Sequence, residues 1–106
     1  MRKGALLIGT TALLLVTGSA ASAAAGAAIF QAQCAKCHGE TGKADTSIAK
    51  AMKIPALAGD AKMQGMSEAD VVAKIKGNEK HPGPVKGMKD DELNAVAAHV
   101  KKLAGP

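Results

Sequence analysis

Apolar residues in this chain recur mostly at helical spacing, and no segment alternates convincingly as a strand. Met1-Arg2-Lys3 is followed by a largely apolar run, Ala5 to Val16, of about a dozen residues, the size of a signal-peptide h-region and short for a bilayer span. Ala21-Ser22-Ala23 supplies small residues for cleavage, so residues 1–23 are expected to be a signal peptide and 24–106 the domain. Cleavage after Ala23-Ala24-Ala25 fits almost as well, and an uncleaved anchor is the lesser reading. Gly26, Phe30 and Cys34 then share one face of a short helix over 26–34. Gly39 and Gly42 break it, and residues 44–53 hold a helical turn or two before Pro55 and Gly59. Ser67-Glu68-Ala69-Asp70 reads as a capping box opening a helix that carries Val71, Val72 and Ile75 and stops at Gly77-Asn78. The last helix has the clearest stripe: Leu93, Val96, Ala97, Val100 and Ala104. Asp90, Asp91 and Glu92 suit its positive end, Lys101 and Lys102 its negative end. The expected fold class is all-α.

One stretch departs from this packing grammar: Cys34-Ala35-Lys36-Cys37-His38. Cys-x-x-Cys-His is the attachment signature for c-type haem. Each thiol can add to one porphyrin vinyl group, and the adjoining imidazole then lies under the iron as proximal ligand. A redox dithiol would want a βαβ setting that is missing here. A zinc site would want a second ligand pair, and the chain has no third Cys. A local disulfide would leave His38 without a role. Export agrees with the motif, because bacteria attach this haem outside the cytoplasm.

Composition sharpens the picture. Phe30 is the only aromatic residue among Phe, Trp and Tyr. Without its leader the chain has roughly 83 residues, a size at which a purely protein core is marginal. A buried porphyrin would supply the missing apolar volume, so folding is expected to depend on haem. Twelve lysines then face nine acidic residues, a small positive balance that two haem propionates reduce further. The lysines are scattered, with no clustered stripe for nucleic acid. They suit a solvated surface, or a rim for docking an acidic redox partner.

Taken together, the mature domain resembles the class I cytochromes c. Gly26-x-x-x-Phe30 ahead of Cys34-x-x-Cys37-His38-Gly39 is similar to that family's first helix and haem motif. Pro55-Ala56-Leu57-Ala58-Gly59 looks like its Pro-x-Leu segment, and Asp90-Asp91-Glu92-Leu93-x-x-Val96-Ala97-Ala98-His99-Val100 like its last helix. The resemblance implies three main helices plus loops wrapped around one covalent haem c and its iron. It implies that Pro55 and Leu57 belong to the haem site, with the Pro55 carbonyl accepting a hydrogen bond from His38. It also implies a small periplasmic one-electron carrier, monomeric, with redox proteins as partners, not itself a catalyst, and without stable membrane insertion after cleavage.

The sixth iron ligand is where the chain departs from the family. There it is usually Met in a Met-Pro pair ahead of the last helix; here that register holds His81-Pro82-Gly83. Met88 stands where Leu is usual. With Lys89 as N-cap, Met88 is N′ and Leu93 is N4, a hydrophobic staple. His81 is therefore the preferred distal ligand and Met88 the alternative, with Met63 and Met66 reading as gap-filling core. A second imidazole removes the bias of Met sulfur toward ferrous iron, which implies a low potential. A haem-based sensor with a labile His81 is the competing function. His99 replaces the usual Tyr or Trp and is expected to pack near Phe30 with one hydrogen bond.

Overall fold

Alanine has the highest helix propensity of any residue, and the Ala-rich segment ahead of the haem motif contains no proline. The computed structural model, which describes residues 18–105, accordingly starts its first helix earlier than the apolar spacing alone indicates. That helix, α1, spans Gly18–Ile29. It continues without a break into a π-helical turn, Phe30–Cys34, and then α2, Ala35–His38. The expected start at Gly26 is thus corrected to Gly18. The expected leader lies outside the described residues over 1–17, and its remainder falls within α1.

Short helices make up the middle of the chain, and the first three are each started by a side chain that accepts an otherwise free backbone N–H. Thr46 Oγ1 accepts from Ala49 N at 3.0 Å to open α3, Ser47–Met52. Asp60 Oδ1 accepts from Lys62 N at 2.9 Å to open α4, Ala61–Gln64. The sequence pattern marks no element over 61–64, since four residues are too few to show a period. Helix α5, Glu68–Gly77, begins where the capping sequence indicates, with Ser67 Oγ accepting from Asp70 N at 3.1 Å. A second unexpected short helix, α6, covers Gly83–Lys86, with Pro84 in its first turn.

Helix α7, Asp90–Ala104, is the member on which α1, α4 and α5 all pack. Its start matches the sequence reading: Lys89 is the N-cap and its N–H donates to Glu92 Oε1 at 3.0 Å. Its far end is tied to α4 by Gln64 Nε2, which donates to the Ala104 carbonyl at 2.7 Å. Phe30, Val71, Val96, Ala97 and Val100 form the buried cluster, joined at its edge by Leu57, Met63, Met66 and Met88. Burial of that cluster is the principal stabilising term available to so small an apolar set. Among the described residues there is no strand, and no helix is long and apolar enough to cross a membrane.

The crossing of α1 and α7 depends on Gly26. A Cβ at that position would stand 2.2 Å from the Ala95 carbonyl oxygen and 3.3 Å from His99 Cβ. Backbone meets backbone there, which only glycine permits. His99 packs on Phe30 as expected: its ring centroid lies 5.1 Å from that of Phe30, tilted by 51°.

Candidate haem site

The π-turn explains how one helical segment serves two purposes. Its i to i+5 bond, Ala35 N to the Phe30 carbonyl, places an extra residue in the turn and rotates everything after it. Phe30 is fully buried in the core cluster, with Cys34 packed at its edge, while Cys34, Cys37 and His38 are themselves half-buried. Cys34 itself is the N-cap of α2 and His38 its last residue.

A tight loop closes behind the motif. Gly39 has φ +88°, and a Cβ on it would meet Asp45 Oδ1. The His38 carbonyl accepts from Ala44 N at 2.8 Å, and the Cys37 carbonyl from Thr46 Oγ1 at 2.6 Å. Thr46 thus caps α3 and fixes the motif at once, a role its position alone did not disclose. Helix α3 packs on α2 and carries Ile48 and Met52, the two large apolar side chains left exposed among the described residues.

Pro55 and Leu57 behave differently from one another. Leu57 is half-buried against the core, and its N–H donates to the Gly42 carbonyl at 2.7 Å, joined by Ala58 N at 3.0 Å. Pro55 is exposed. The expected hydrogen bond from His38 to the Pro55 carbonyl is not made: among the described residues His38 Nδ1 is buried with no partner. The segment is held through Leu57 and Ala58 instead, which leaves Pro55 outside the packed layer. A buried imidazole nitrogen without a partner costs about 1–3 kcal/mol. Such a cost is reasonable where the ring is kept for ligation.

His38 and His81 are brought together from opposite ends of the domain. Their ring centroids are 6.2 Å apart, with planes at 63°. If both rings held one metal through nitrogens about 2.0 Å from it, their centres would stand about 6 Å apart, so the observed spacing would let His38 and His81 share one. Phe30 and His99, which pack directly, stand only 5.1 Å apart. Burial, and secondarily His81, pushes the His38 pKa below the ordinary 6.5, which favours the neutral, ligating form. His81 Nδ1 lies 2.7 Å from the Ile75 carbonyl. A carbonyl only accepts, so Nδ1 carries the proton and Nε2 keeps the lone pair a metal needs. The sequence marks Ile75 only as an apolar position of this helix and Asn78 only as part of its stop, with no sign of a role beside His81.

Met88 lies elsewhere. It is half-buried at the N′ position of α7, packed against the core cluster. It also lines a groove of about 370 Å³ with Ile29, Ala32, Gln33, Pro84 and Glu92, whose walls include neither His38 nor His81. Met63 and Met66 pack against the same core. His99 keeps its packing role but not the expected hydrogen bond, since its Nε2 is buried without a partner among the described residues.

Cys34 and Cys37 are both free thiols. Burial, with a smaller contribution from Cys37, pushes the Cys34 thiol up to about 11. A redox-active dithiol needs the opposite shift, so the pair does not suit disulfide exchange. No three His, Cys, Asp or Glu side chains converge as a metal site among the described residues. Two neighbouring imidazoles beside two thiols would suit a haem, whose porphyrin would supply the iron's other ligands.

A search of curated proteins finds no significant match. The profile of the cytochrome c family, in contrast, matches residues 23–104. That span takes in the first helix, the Cys-x-x-Cys-His motif, both histidines and nearly all of α7, and it places the chain in the cytochrome c family, as a haem-based electron-transfer protein whose cofactor is haem c.

Proposed function

We propose that this protein is a periplasmic one-electron carrier whose single haem is held by thioethers to Cys34 and Cys37 and ligated by His38 and His81. When bound, the haem iron supplies reversible one-electron chemistry. The protein's own groups orient it and keep water away. His38, at the end of α2, is held by the bonds to its own and the Cys37 carbonyl. Its free Nδ1 is the donor that the Pro55 carbonyl would accept from once the ring is fixed on iron. Leu57, Ile48 and Met52 supply apolar surface for the porphyrin.

The observation that carries this reading is the 6.2 Å separation of the two imidazoles. It supports His81 over Met88, whose side chain is taken up in the packing at the start of α7. A second imidazole in place of a thioether favours the ferric state, so the carrier works at lower potential than its His/Met relatives. Scattered lysines and a small positive balance suit brief encounters with acidic redox proteins. A six-coordinate iron leaves no open position for a substrate, consistent with a carrier and not a catalyst.

Replacing His81 by Ala tests the assignment. The expected product is a five-coordinate or water-ligated haem that binds carbon monoxide readily. Retention of the wild-type low-spin spectrum would refute it. Rapid carbon monoxide binding by the reduced wild type would instead favour a ligand sensor with a labile His81.

A further inference from the structure

Helix α5 ends four residues before His81, and that end is built around its side chain. Carbonyls in the last turn of a helix have no N–H partner within it. The Ile75 carbonyl is in that turn and takes its hydrogen bond from His81 Nδ1 at 2.7 Å. Asn78, the residue after the helix, fixes the main chain in two ways. Its carbonyl accepts from His81 N at 3.0 Å, and its Oδ1 accepts from Lys80 N at 2.9 Å. Side chain, backbone and turn are thus all held from one helix end.

We infer that the C-terminal end of α5 is a lock on the distal ligand. The inference rests on the His38/His81 reading above. Asn78 acts as a positioning residue and Ile75 as the acceptor that holds the ring through Nδ1, so His81 keeps one orientation before the haem arrives and stays on the iron in both oxidation states. The lock also sets function. An iron whose ligands do not change on reduction exchanges electrons with little rearrangement and remains closed to small ligands. The negative end of the α5 dipole lies against the Nδ1–H, which makes the imidazole a stronger donor and favours ferric iron.

Carbon monoxide reads the lock directly, because it must wait for His81 to leave. In the ferrous holoprotein, Asn78→Ala is expected to bind carbon monoxide about tenfold faster than wild type, the equivalent of one lost hydrogen bond at about 1.4 kcal/mol. Asn78→Asp keeps an oxygen acceptor for Lys80 N and is expected to restore the slow rate. Equal rates in Asn78→Ala and wild type would overturn the lock. Should Asn78→Ala fail to accumulate as holoprotein, the wild-type ferrous protein labelled with nitrogen-15 decides the matter. A slowly exchanging His81 Nδ1–H resonance supports the lock, and one in fast exchange with water overturns it. His81→Ala separates the two claims. If it stays low-spin, the ligand assignment falls and the lock with it; if it turns high-spin while Asn78→Ala matches wild type, only the lock falls.

Discussion

Gly26→Ala is the sharpest test of how this fold is held together. The added Cβ would stand 2.2 Å from the Ala95 carbonyl oxygen and 2.8 Å from its carbonyl carbon. Ordinary contact needs about 3.4 Å, so α1 and α7 must separate by roughly 1 Å, and neither obstacle is a side chain that can swing aside. Overpacking of this kind costs up to about 3 kcal/mol. Alanine offsets about 1 kcal/mol of that through its better helix propensity. The net loss is about 2 kcal/mol, which in a domain of this size lowers the Tm by about 8–16 °C. Gly77→Ala is the control: nothing lies within 4 Å of its Cβ position at the end of α5, so propensity acts alone and raises stability by up to about 1 kcal/mol. Both are read from thermal melts of the holoprotein by far-ultraviolet circular dichroism. A Gly26→Ala protein as stable as wild type would refute the backbone crossing described here.

Other outcomes follow from single residues. Lys53 closes α3 in the left-handed region at φ 56°, where glycine is unstrained, so Lys53→Gly should stabilise the holoprotein by about 1 kcal/mol in urea titrations. Burial of His99, aided by Lys102, holds its pKa below the ordinary 6.5. The unfolded chain therefore binds the extra proton first, and stability is lost as pH falls through 6.5 toward the folded value. His99→Gln should flatten that part of the stability profile between about pH 7 and 5 relative to wild type. Met88→Leu should leave the haem spectrum unchanged and cost under about 1.5 kcal/mol, since the side chain serves the packing before α7 and not the iron.

Much of this architecture can be read from the chain because local signals agree with the tertiary contacts. The stripe of α7, the Ser67 cap and the Gly77-Asn78 stop all act through neighbours a few residues away, and each appears where expected. The Cys-x-x-Cys-His motif is legible for the same reason. The first helix was read too short because periodicity registers its buried face, whereas alanine propensity carries it back to Gly18. Helices α4 and α6 are about one turn long, too short for a period to repeat. Bonds across the chain were the least legible. Thr46 reaches Cys37, and Ile75 holds His81 through its backbone carbonyl, which every residue possesses. His38 lacking the Pro55 carbonyl as a partner shows the converse: a family resemblance supplied a bond that the packing of Leu57 and Ala58 on Gly42 does not make.

The central claim is that His81, and no methionine, completes the iron's coordination. An absorption spectrum of the exported holoprotein, oxidised and reduced and extended into the far red, tests it most directly. A low-spin spectrum lacking the weak far-red sulfur-to-iron band is the predicted result. A low-spin spectrum that shows the band would place a methionine on the iron and contradict the account.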